Sequence, residues 1–348
     1  MRIRYLGHIV SAISLWAALA VFTYGQQPRA IHLTGAYWGT HDPSIIRSGK
    51  TWYVFATGKA QDGGQFQIRC SEDLTSWKLC GHVFDRIPQW IHNASPATTE
   101  LWAPDISYED GEFRLYYAYS LFGKNTSGIA LATNLTLDPA SPRYKWVDRG
   151  LVLKSTAADN FNAIDPNFIL DRKGSAWLAF GSFWSGIKMR RLNERTGMLS
   201  KRDTQLYSLA SRKRPSGTVV QKPGLPPDWQ AVEAPFIVYH AGHYYLFVSW
   251  DLCCRGTRST YRTMVGRSKQ ITGPYVDKNG MSMEEGGGSE LLVGNTRWLG
   301  PGGESVYMQR SGKDIIVFHA YDAHTGRPAL QISTITWQNG WPHAALEN

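Results

Sequence analysis

The sequence predicts an all-β fold, a five-bladed β-propeller, and three observations support this. One motif recurs five times at intervals of roughly 60–70 residues, each copy holds two strand-like runs joined by a glycine turn, and helix-period apolar stripes are scarce between copies. About four strands per unit, repeated five times, is typical of a propeller. A doubly wound fold would need long crossover helices, and a β-sandwich would lack this regular return.

Each copy of the motif begins with a small or acidic residue before a proline, continues as an apolar strand, turns at a glycine and returns as an aromatic-rich strand. The successive prolines are Pro43, Pro104, Pro166 and Pro235, and we place Ser305 at the fifth position. The turns contain Gly49, Gly111, Gly174, Gly242 and Gly312. Because the first strand of each propeller blade lines the central channel, equivalent positions of the five copies should meet around one axis.

Residues 1–25 have the features of a signal peptide. Arg2 and Arg4 supply the positive start, an apolar run follows over residues 9–22, and Gly25 ends a small-residue exit. The run is too short for a membrane span. We therefore expect residues 26–348 to form a single propeller domain of a secreted protein, extracellular or periplasmic, with no membrane partner.

The formal net charge is +9, but Lys and Arg are scattered and the densest cluster is the short run at 212–214. No nucleic-acid motif accompanies them, so we interpret the charge as a basic solvated surface and expect no nucleic-acid partner. A monomer is expected.

The sequence contains four cysteines, and export would permit disulfides. Cys70 and Cys80 flank a turn-rich stretch and could bridge a hairpin. Cys253 and Cys254 are adjacent and could form a vicinal disulfide or remain free, while no spaced Cys/His set indicates a metal site.

Acidic residues recur at the start of the repeats. Asp42 and Asp165 precede their prolines directly, and Glu233 lies two residues before Pro235. Carboxylates that converge on a narrow channel repel one another and lose solvent, which raises some of their pKa values. We therefore interpret Asp42, Asp165 and Glu233 as functional, and Asp105 as structural.

Two such acids suffice for glycoside hydrolysis: one protonates the departing oxygen, and the other acts on water or on the anomeric carbon. In an inverting enzyme they stand roughly 6.5–9.5 Å apart, which leaves room for the water. A third carboxylate nearby can raise the pKa of the acid and orient it.

Several segments resemble motifs of glycoside hydrolase family 43, and most closely those of its endo-α-1,5-L-arabinanases. They are His41-Asp42-Pro43-Ser44, Leu101-Trp102-Ala103-Pro104-Asp105, Asn162-Ala163-Ile164-Asp165-Pro166, Val232-Glu233-Ala234-Pro235 and Gly181-Ser182-Phe183-Trp184. The resemblance covers roughly residues 35–338. It implies hydrolysis of internal α-1,5-L-arabinofuranosidic bonds of arabinan, with Asp42 as general base, Glu233 as general acid and Asp165 as the residue that tunes and orients the acid.

The resemblance also implies a set of sugar-binding residues. Trp102 and Phe122 match aromatic platforms beside the cleavage point, although core packing explains such rings equally well. The remaining positions are Gly123, Asn162, Ala163, Ile164, Ser182, Phe183 and Trp184.

The metal site of the family is a point of departure. Many relatives carry Gly-Pro-Gly-His in the fifth blade, where the His helps to hold a metal, but this chain has Gly303 at that place. Glu304 or His319 could compensate, so a structural Ca²⁺ in the channel is possible, with His319 as a ligand. The two-acid mechanism itself requires no cofactor.

Two alternatives remain open from sequence. An exo-acting α-L-arabinofuranosidase or β-xylosidase of the same family would differ in the loops around the cleft. A non-catalytic carbohydrate-binding propeller would have no need for the acid–base pair.

Overall fold

A computed structural model describes residues 27–212 and 230–348 of the chain. Almost all regular secondary structure in these residues is β-strand, and the sheets form five blades around a central channel. This confirms the predicted five-bladed propeller. The predicted signal peptide lies outside the described residues.

Each blade is an antiparallel meander that begins at the channel and ends at the periphery. Strand β1 (Thr34–Gly35) precedes the first blade. Blade 1 consists of β2 (Ser44–Ser48), β3 (Thr51–Phe55), β4 (Gln65–Ser71) and β5 (Ser76–Phe84). After helix α1 (Gln89–Ala94), blade 2 consists of β6 (Trp102–Glu109), β7 (Glu112–Tyr119), β8 (Gly128–Asn134) and β9 (Val147–Lys154).

Blades 3 and 4 follow the same order. Blade 3 consists of β10 (Asn167–Leu170), β11 (Ala176–Phe180), β12 (Ile187–Arg191) and β13 (Tyr207–Ala210). Blade 4 consists of β14 (Val232–His240), β15 (His243–Trp250), β16 (Arg262–Ser268) and β17 (Ser289–Leu292). Short 3-10 turns lie at Gly256–Arg258 and Met283–Glu285.

Blade 5 has three strands of its own, and a small hairpin follows it. The strands are β18 (Trp298–Tyr307), β19 (Ile315–Asp322) and β20 (Pro328–Thr334), and the hairpin pairs β21 (Thr336–Gln338) with β22 (Trp341–His343). Among the described residues, no helix combines the length and apolar character needed to cross a membrane.

The hydrophobic core lies between neighbouring blades. Because side chains alternate across a strand, adjacent residues of β7 face different blades. Tyr117 packs edge-on against Phe66 of blade 1 with 5.5 Å between ring centroids, whereas Tyr116 stacks on Phe168 of blade 3 at 5.7 Å. Burial of a large apolar side chain stabilises a fold by roughly 1.5–3 kcal/mol, so the aromatic richness of the sequence serves mainly to hold the blades together.

The inner strands are also joined by hydrogen bonds around the channel. A side chain near the start of one blade accepts a bond from a backbone N–H of the next. The bonds run from Ile45 to Ser305 (3.2 Å), from Ile106 to Ser44 (3.0 Å), from Phe168 to Asp105 (2.6 Å) and from Ile237 to Asn167 (2.9 Å).

These four bonds fix how the five repeats align. Ser305 performs in blade 5 the role that Ser44 performs in blade 1, so Glu304 stands at the place of the proline and Gly303 at the place of Asp42. Our placement of Ser305 at the proline position is therefore wrong by one residue. The backbone agrees, since the residue before that place has a positive φ in every blade: Asp42 45°, Ala103 43°, Asp165 55°, Ala234 53° and Gly303 59°.

The N-terminal segment closes the propeller by lying along β20 of the last blade. Ile31 N–H donates to the Ile332 carbonyl, and Leu330 N–H donates to the Tyr37 carbonyl, both at 2.8 Å. Leu33 is buried in the core between blades 5 and 1. Blade 5 therefore obtains its outer edge from the opposite end of the chain.

Both cysteine pairs are bonded. The disulfide Cys70–Cys80 joins β4 to β5, and the vicinal disulfide Cys253–Cys254 lies in the loop between β15 and β16.

Candidate active site

A small cavity of about 30 Å³ lies on the propeller axis where the five blades begin, large enough for about two water molecules. Every blade contributes to its wall. The acidic residues that line it are Asp42, Asp105, Asp165 and Glu304. Glu233 belongs to the same mouth, because the N–H of the next residue, Ala234, donates to Asp165 Oδ2 at 3.1 Å.

Asp42 is surrounded by groups that favour its ionised form. Thr57 Oγ1 donates to Asp42 Oδ2 at 2.6 Å, and His41 Nδ1 lies 2.9 Å from the same oxygen. Burial alone would raise the pKa of Asp42, but His41, His319 and Thr57 together lower it to about 2. Asp42 is therefore a carboxylate at any ordinary pH, as a general base must be.

Glu233 has the opposite environment. Its side chain is buried, and burial raises its pKa to about 7 even though the Ser182 hydroxyl donates to Glu233 Oε2 at 2.5 Å. The charge of Asp42 acts in the same direction as burial. Glu233 is thus able to hold a proton near neutral pH.

Asp165 shares this environment with Glu233. Burial, together with the charges of Glu233 and Asp42, raises the pKa of Asp165. Two buried carboxyl groups that repel each other do not ionise independently, so the pair retains a proton near neutrality. The N–H of Ala234 stabilises negative charge on Asp165, which favours the proton on Glu233.

The two other acids of the cavity have structural partners. Asp105 Oδ2 accepts the N–H of Phe168 from the next blade, and burial raises the pKa of Asp105 to about 7. Glu304 Oε2 accepts hydrogen bonds from Ser249 at 2.9 Å and Thr263 at 3.3 Å, while Oε1 is buried with no partner in the described part of the chain. Burial likewise raises the pKa of Glu304 to about 7.

His319 occupies the space that a side chain at position 303 would need. A Cβ on Gly303 would lie 2.9 Å from the His319 ring and 2.6 Å from Asp42 Oδ1. His319 is fully buried, its ring stacks on His41 with centroids 3.7 Å apart, and its Nδ1 accepts the Asp42 N–H at 3.2 Å. From the neighbouring strand β19, the His319 imidazole therefore fills the space beside Asp42 that a side chain at position 303 would occupy.

The donor set bears on whether a cation fits here. Because Nδ1 of His319 accepts a hydrogen bond, Nε2 of the neutral ring carries the proton and cannot ligate a metal directly. Nε2 and Glu304 Oε1 are both buried without partners among the described residues. Ca²⁺ prefers oxygen ligands, so the free Glu304 Oε1 fits a hydrated cation, whereas a protonated Nε2 of His319 does not.

The predicted sugar-binding residues fall into two groups. Phe122 is 81% exposed on the loop after β7, Trp102 is half-buried at the start of β6, and Gly123 is half-buried beside Phe122. Phe183 and Trp184 are half-buried in the loop that carries Ser182.

The other group is buried. Asn162, Ala163 and Ile164 lead into Asp165, and the side chain of Ala163 is fully enclosed in the core between blades 2 and 3. Ala163 therefore has no open side-chain contact to offer a ligand. Asn162 Oδ1 is buried with no partner in the part of the chain that is described.

Sequence reasoning did not select His41, Thr57 or Tyr321. His41 Nε2 lies 2.7 Å from the Tyr321 hydroxyl, so both belong to the surroundings of Asp42. A signal existed for Tyr321, because it follows His319 by two positions on β19 and therefore shares its face. Thr57 follows the end of β3 and carried no comparable signal.

Comparison with known proteins decides the family: residues 38–342 match the model of glycosyl hydrolases family 43. This chain belongs to that family. It is therefore a glycoside hydrolase.

Alignments with related proteins extend over most of this chain. The extracellular endo-α-(1→5)-L-arabinanase 1 of Bacillus subtilis is 43% identical over 88% of this chain and 90% of that protein. The extracellular exo-α-(1→5)-L-arabinofuranosidase ArbA of Cellvibrio japonicus is 44% identical over 87% of this chain and 85% of that protein. A solved α-L-arabinanase of Cellvibrio cellulosa, in complex with arabinohexaose, aligns with a TM-score of 0.81 at 43% identity over 89% of this chain and 96% of that chain.

Proposed function

We propose that this family member hydrolyses internal α-1,5-linked bonds of arabinan with inversion of configuration. The observation that carries the proposal is the opposed protonation of two carboxyl groups at one channel mouth: Asp42 is held ionised, and Glu233 is able to hold a proton. The substrate class follows from the relatives, which are arabinan-cleaving enzymes by name.

In this proposal Asp42 removes a proton from the attacking water. Thr57 and His41 donate to the same oxygen, Oδ2, which leaves Oδ1 for the water. A water held in line with the anomeric carbon attacks the face opposite to the leaving group, and the product therefore has inverted configuration.

In the same displacement, Glu233 gives its proton to the departing glycosidic oxygen. Its raised pKa allows it to carry that proton near neutral pH, and the Ser182 hydroxyl fixes the orientation of the carboxyl group. Asp165, bonded to the Ala234 N–H beside Glu233, orients the acid and keeps its pKa high.

The exposed aromatic Phe122 and the half-buried Trp102 and Trp184 are proposed to contact the sugar chain, with Asn162 Oδ1 as an acceptor for a sugar hydroxyl. Because some relatives are extracellular by name, we infer that this protein is secreted as well.

Exo-action is the second candidate, because one 44% identical relative is an exo-α-(1→5)-L-arabinofuranosidase by name. The purified protein should be incubated with linear α-1,5-arabinan and, separately, with xylan. Endo-action gives early oligosaccharides of mixed length, whereas exo-action releases one small product from the start. ¹H NMR of the first turnovers should show a product of inverted anomeric configuration.

Substitution of the acid tests the mechanism. Glu233→Gln keeps the size of the side chain but cannot give up a proton, so kcat on arabinan should fall by about 10²–10⁴-fold. The exposed Glu72→Gln is the matched control and should keep full activity. A Glu233→Gln enzyme with undiminished kcat would exclude the proposed acid.

A Ca²⁺ ion is proposed as an optional structural ligand in the channel, held by Glu304 Oε1 and by waters. When bound, it would supply positive charge that offsets the buried carboxylates. Addition of Ca²⁺ to protein treated with EDTA should raise the unfolding temperature of the wild type but not of Glu304→Gln.

A further inference from the structure

A chain of hydrogen bonds links the vicinal disulfide to Asp42. The backbone N–H of Cys254 donates to the Tyr321 hydroxyl at 2.9 Å, and that hydroxyl lies 2.7 Å from His41 Nε2. On the other side of the ring, His41 Nδ1 lies 2.9 Å from Asp42 Oδ2. The chain thus connects a loop of blade 4, strand β19 of blade 5 and the start of blade 1.

The two ends of this chain determine which of its atoms donate. A backbone N–H can only donate, so the Tyr321 oxygen accepts from Cys254. An ionised carboxylate can only accept, so His41 Nδ1 carries a proton toward Asp42. Burial lowers the pKa of His41, but the charge and hydrogen bond of Asp42 raise it overall, which favours the doubly protonated ring. Nε2–H then donates to the Tyr321 oxygen, so Asp42 and Tyr321 hold the imidazole from its two sides.

The vicinal disulfide fixes the first donor of the chain. Cys254 adopts a φ of 63°, a left-handed backbone conformation that residues other than glycine rarely adopt. A bond between adjacent cysteines closes a small ring that includes their shared peptide unit, so it restricts the same backbone dihedrals. Cys254 is exposed at the protein surface, so a reductant can reach this bond.

We infer that Tyr321 and the Cys253–Cys254 disulfide are positioning elements for Asp42, and that activity depends on the oxidised state of this cysteine pair. They act through His41, whose Nδ1–H holds one carboxylate oxygen so that the other faces the water. The inference rests on the proposed function, in which Asp42 is the base.

Tyr321→Phe tests the chain without disturbing its packing. Loss of the hydroxyl should lower kcat by about tenfold to a hundredfold, as small displacements of catalytic groups do, while KM stays within about twofold. Tyr245→Phe is the matched control. It removes a buried hydroxyl that donates to the Gly340 carbonyl at 2.6 Å. Because Tyr245 lies outside this chain of hydrogen bonds, the variant should keep full activity.

Reduction tests the disulfide. Dithiothreitol would pass two electrons and two protons to the pair, giving two thiols and its own cyclic disulfide, and kcat should fall as it does in Tyr321→Phe. Cys253→Ser/Cys254→Ser should show the same loss without reductant. Cys70→Ser/Cys80→Ser, which lacks the disulfide between β4 and β5, should start with full activity and lose it on reduction like the wild type.

The decisive measurement combines both changes. If Tyr321 and the disulfide act through one chain, reduction of Tyr321→Phe should cost no more than about twofold further, because the losses are not additive. Equal losses on reduction in Tyr321→Phe and in the wild type would overturn the inference, as would full activity of Tyr321→Phe. A wild type inactive on arabinan would instead overturn the proposed function.

Discussion

Asp42 and Glu233 lie in the same channel mouth, but their pKa values shift in opposite directions because their neighbours differ. Asp42 has an imidazole 2.9 Å away and a threonine hydroxyl at 2.6 Å, which stabilise negative charge. Glu233 is buried beside other carboxyl groups, which disfavours its ionisation. Environment rather than residue type therefore divides the roles of base and acid between them.

The pH dependence of turnover should reflect this division. Because the acid must be protonated, kcat should fall as pH rises through about 7, the pKa of Glu233. The base should remain active on the acidic side until pH approaches about 2, the pKa of Asp42. Initial rates on arabinan from about pH 4 to pH 9 would check this, and a rate that rises through pH 7 would contradict the assignment of Glu233.

Asp105 should behave as a structural residue. Its pKa is raised from an unfolded value near 3.9 to about 7, so the folded state holds the proton more tightly and stability decreases as pH rises between these values. Asn at this position can still accept the Phe168 N–H and has no charge to bury. We expect Asp105→Asn to increase the free energy of unfolding at pH 8 by roughly 1–3 kcal/mol.

Chemical denaturation of both proteins at pH 4 and pH 8 would measure this effect. The stabilisation should disappear at the lower pH, where Asp105 is protonated in the wild type as well, and kcat should stay within about twofold throughout. A large loss of kcat in Asp105→Asn would instead assign Asp105 to the catalytic group.

At the scale of single elements, the start of β18 illustrates what sequence reasoning could and could not reach. The hairpins of blades 1 to 5 were predictable because a glycine turn between two apolar runs is a local signal. The register of the fifth repeat was not, because Glu304 replaces the proline. The hydrogen bond from Ile45 to Ser305 and the positive φ of Gly303 define that register, and both are seen only in three dimensions. The contact of His319 with Asp42 could not be predicted either, because the two residues lie far apart in sequence and meet only across blades.

Gly303 allows that contact, and its substitution should be costly. Ala at this position would carry a Cβ 2.6 Å from Asp42 Oδ1, so Gly303→Ala should lower kcat and destabilise the fold by about 2–4 kcal/mol through crowding and strain. Gly49→Ala is a matched control, since Gly49 has a φ of 60° against 59° for Gly303 but nothing within 4 Å of the added Cβ.

The control isolates the cost of the left-handed backbone, about 1–2 kcal/mol, and should leave kcat unchanged. Thermal unfolding and initial rates of both variants would give the comparison. Equal effects of the two substitutions would show that the space at Gly303 does not matter.

At the scale of the whole molecule, the propeller is closed by the N-terminal segment on β20. Sequence offered no local signal for this pairing, because the partners lie at opposite ends of the chain and the segment at 29–39 has no clear strand pattern. Blade 5 has three strands of its own, and the N-terminal segment pairs with β20 at the edge where a fourth strand would lie. The blade count followed from the repeats, whereas the closure is visible only in three dimensions.

The closure should contribute strongly to stability. Leu33 is 5% exposed and packs in the core between blades 5 and 1, so Leu33→Ala should destabilise the protein by about 2–5 kcal/mol and lower its unfolding temperature. Its neighbour Thr34 is exposed, and Thr34→Ala should change the unfolding temperature little. Identical melting curves for the two variants would argue against closure through this segment.

The positive φ shared by all five blades gives the enzyme its own reference for mutagenesis. In blades 2 and 4 the residues at this place are Ala103 and Ala234, with φ of 43° and 53°, close to the 45° of Asp42 and the 55° of Asp165. Replacing either aspartate by alanine therefore recreates a local geometry that the molecule already builds twice. Turnover lost in such a variant measures missing chemistry rather than a damaged scaffold, and blades 2 and 4 are natural positions onto which a carboxylate could be transplanted.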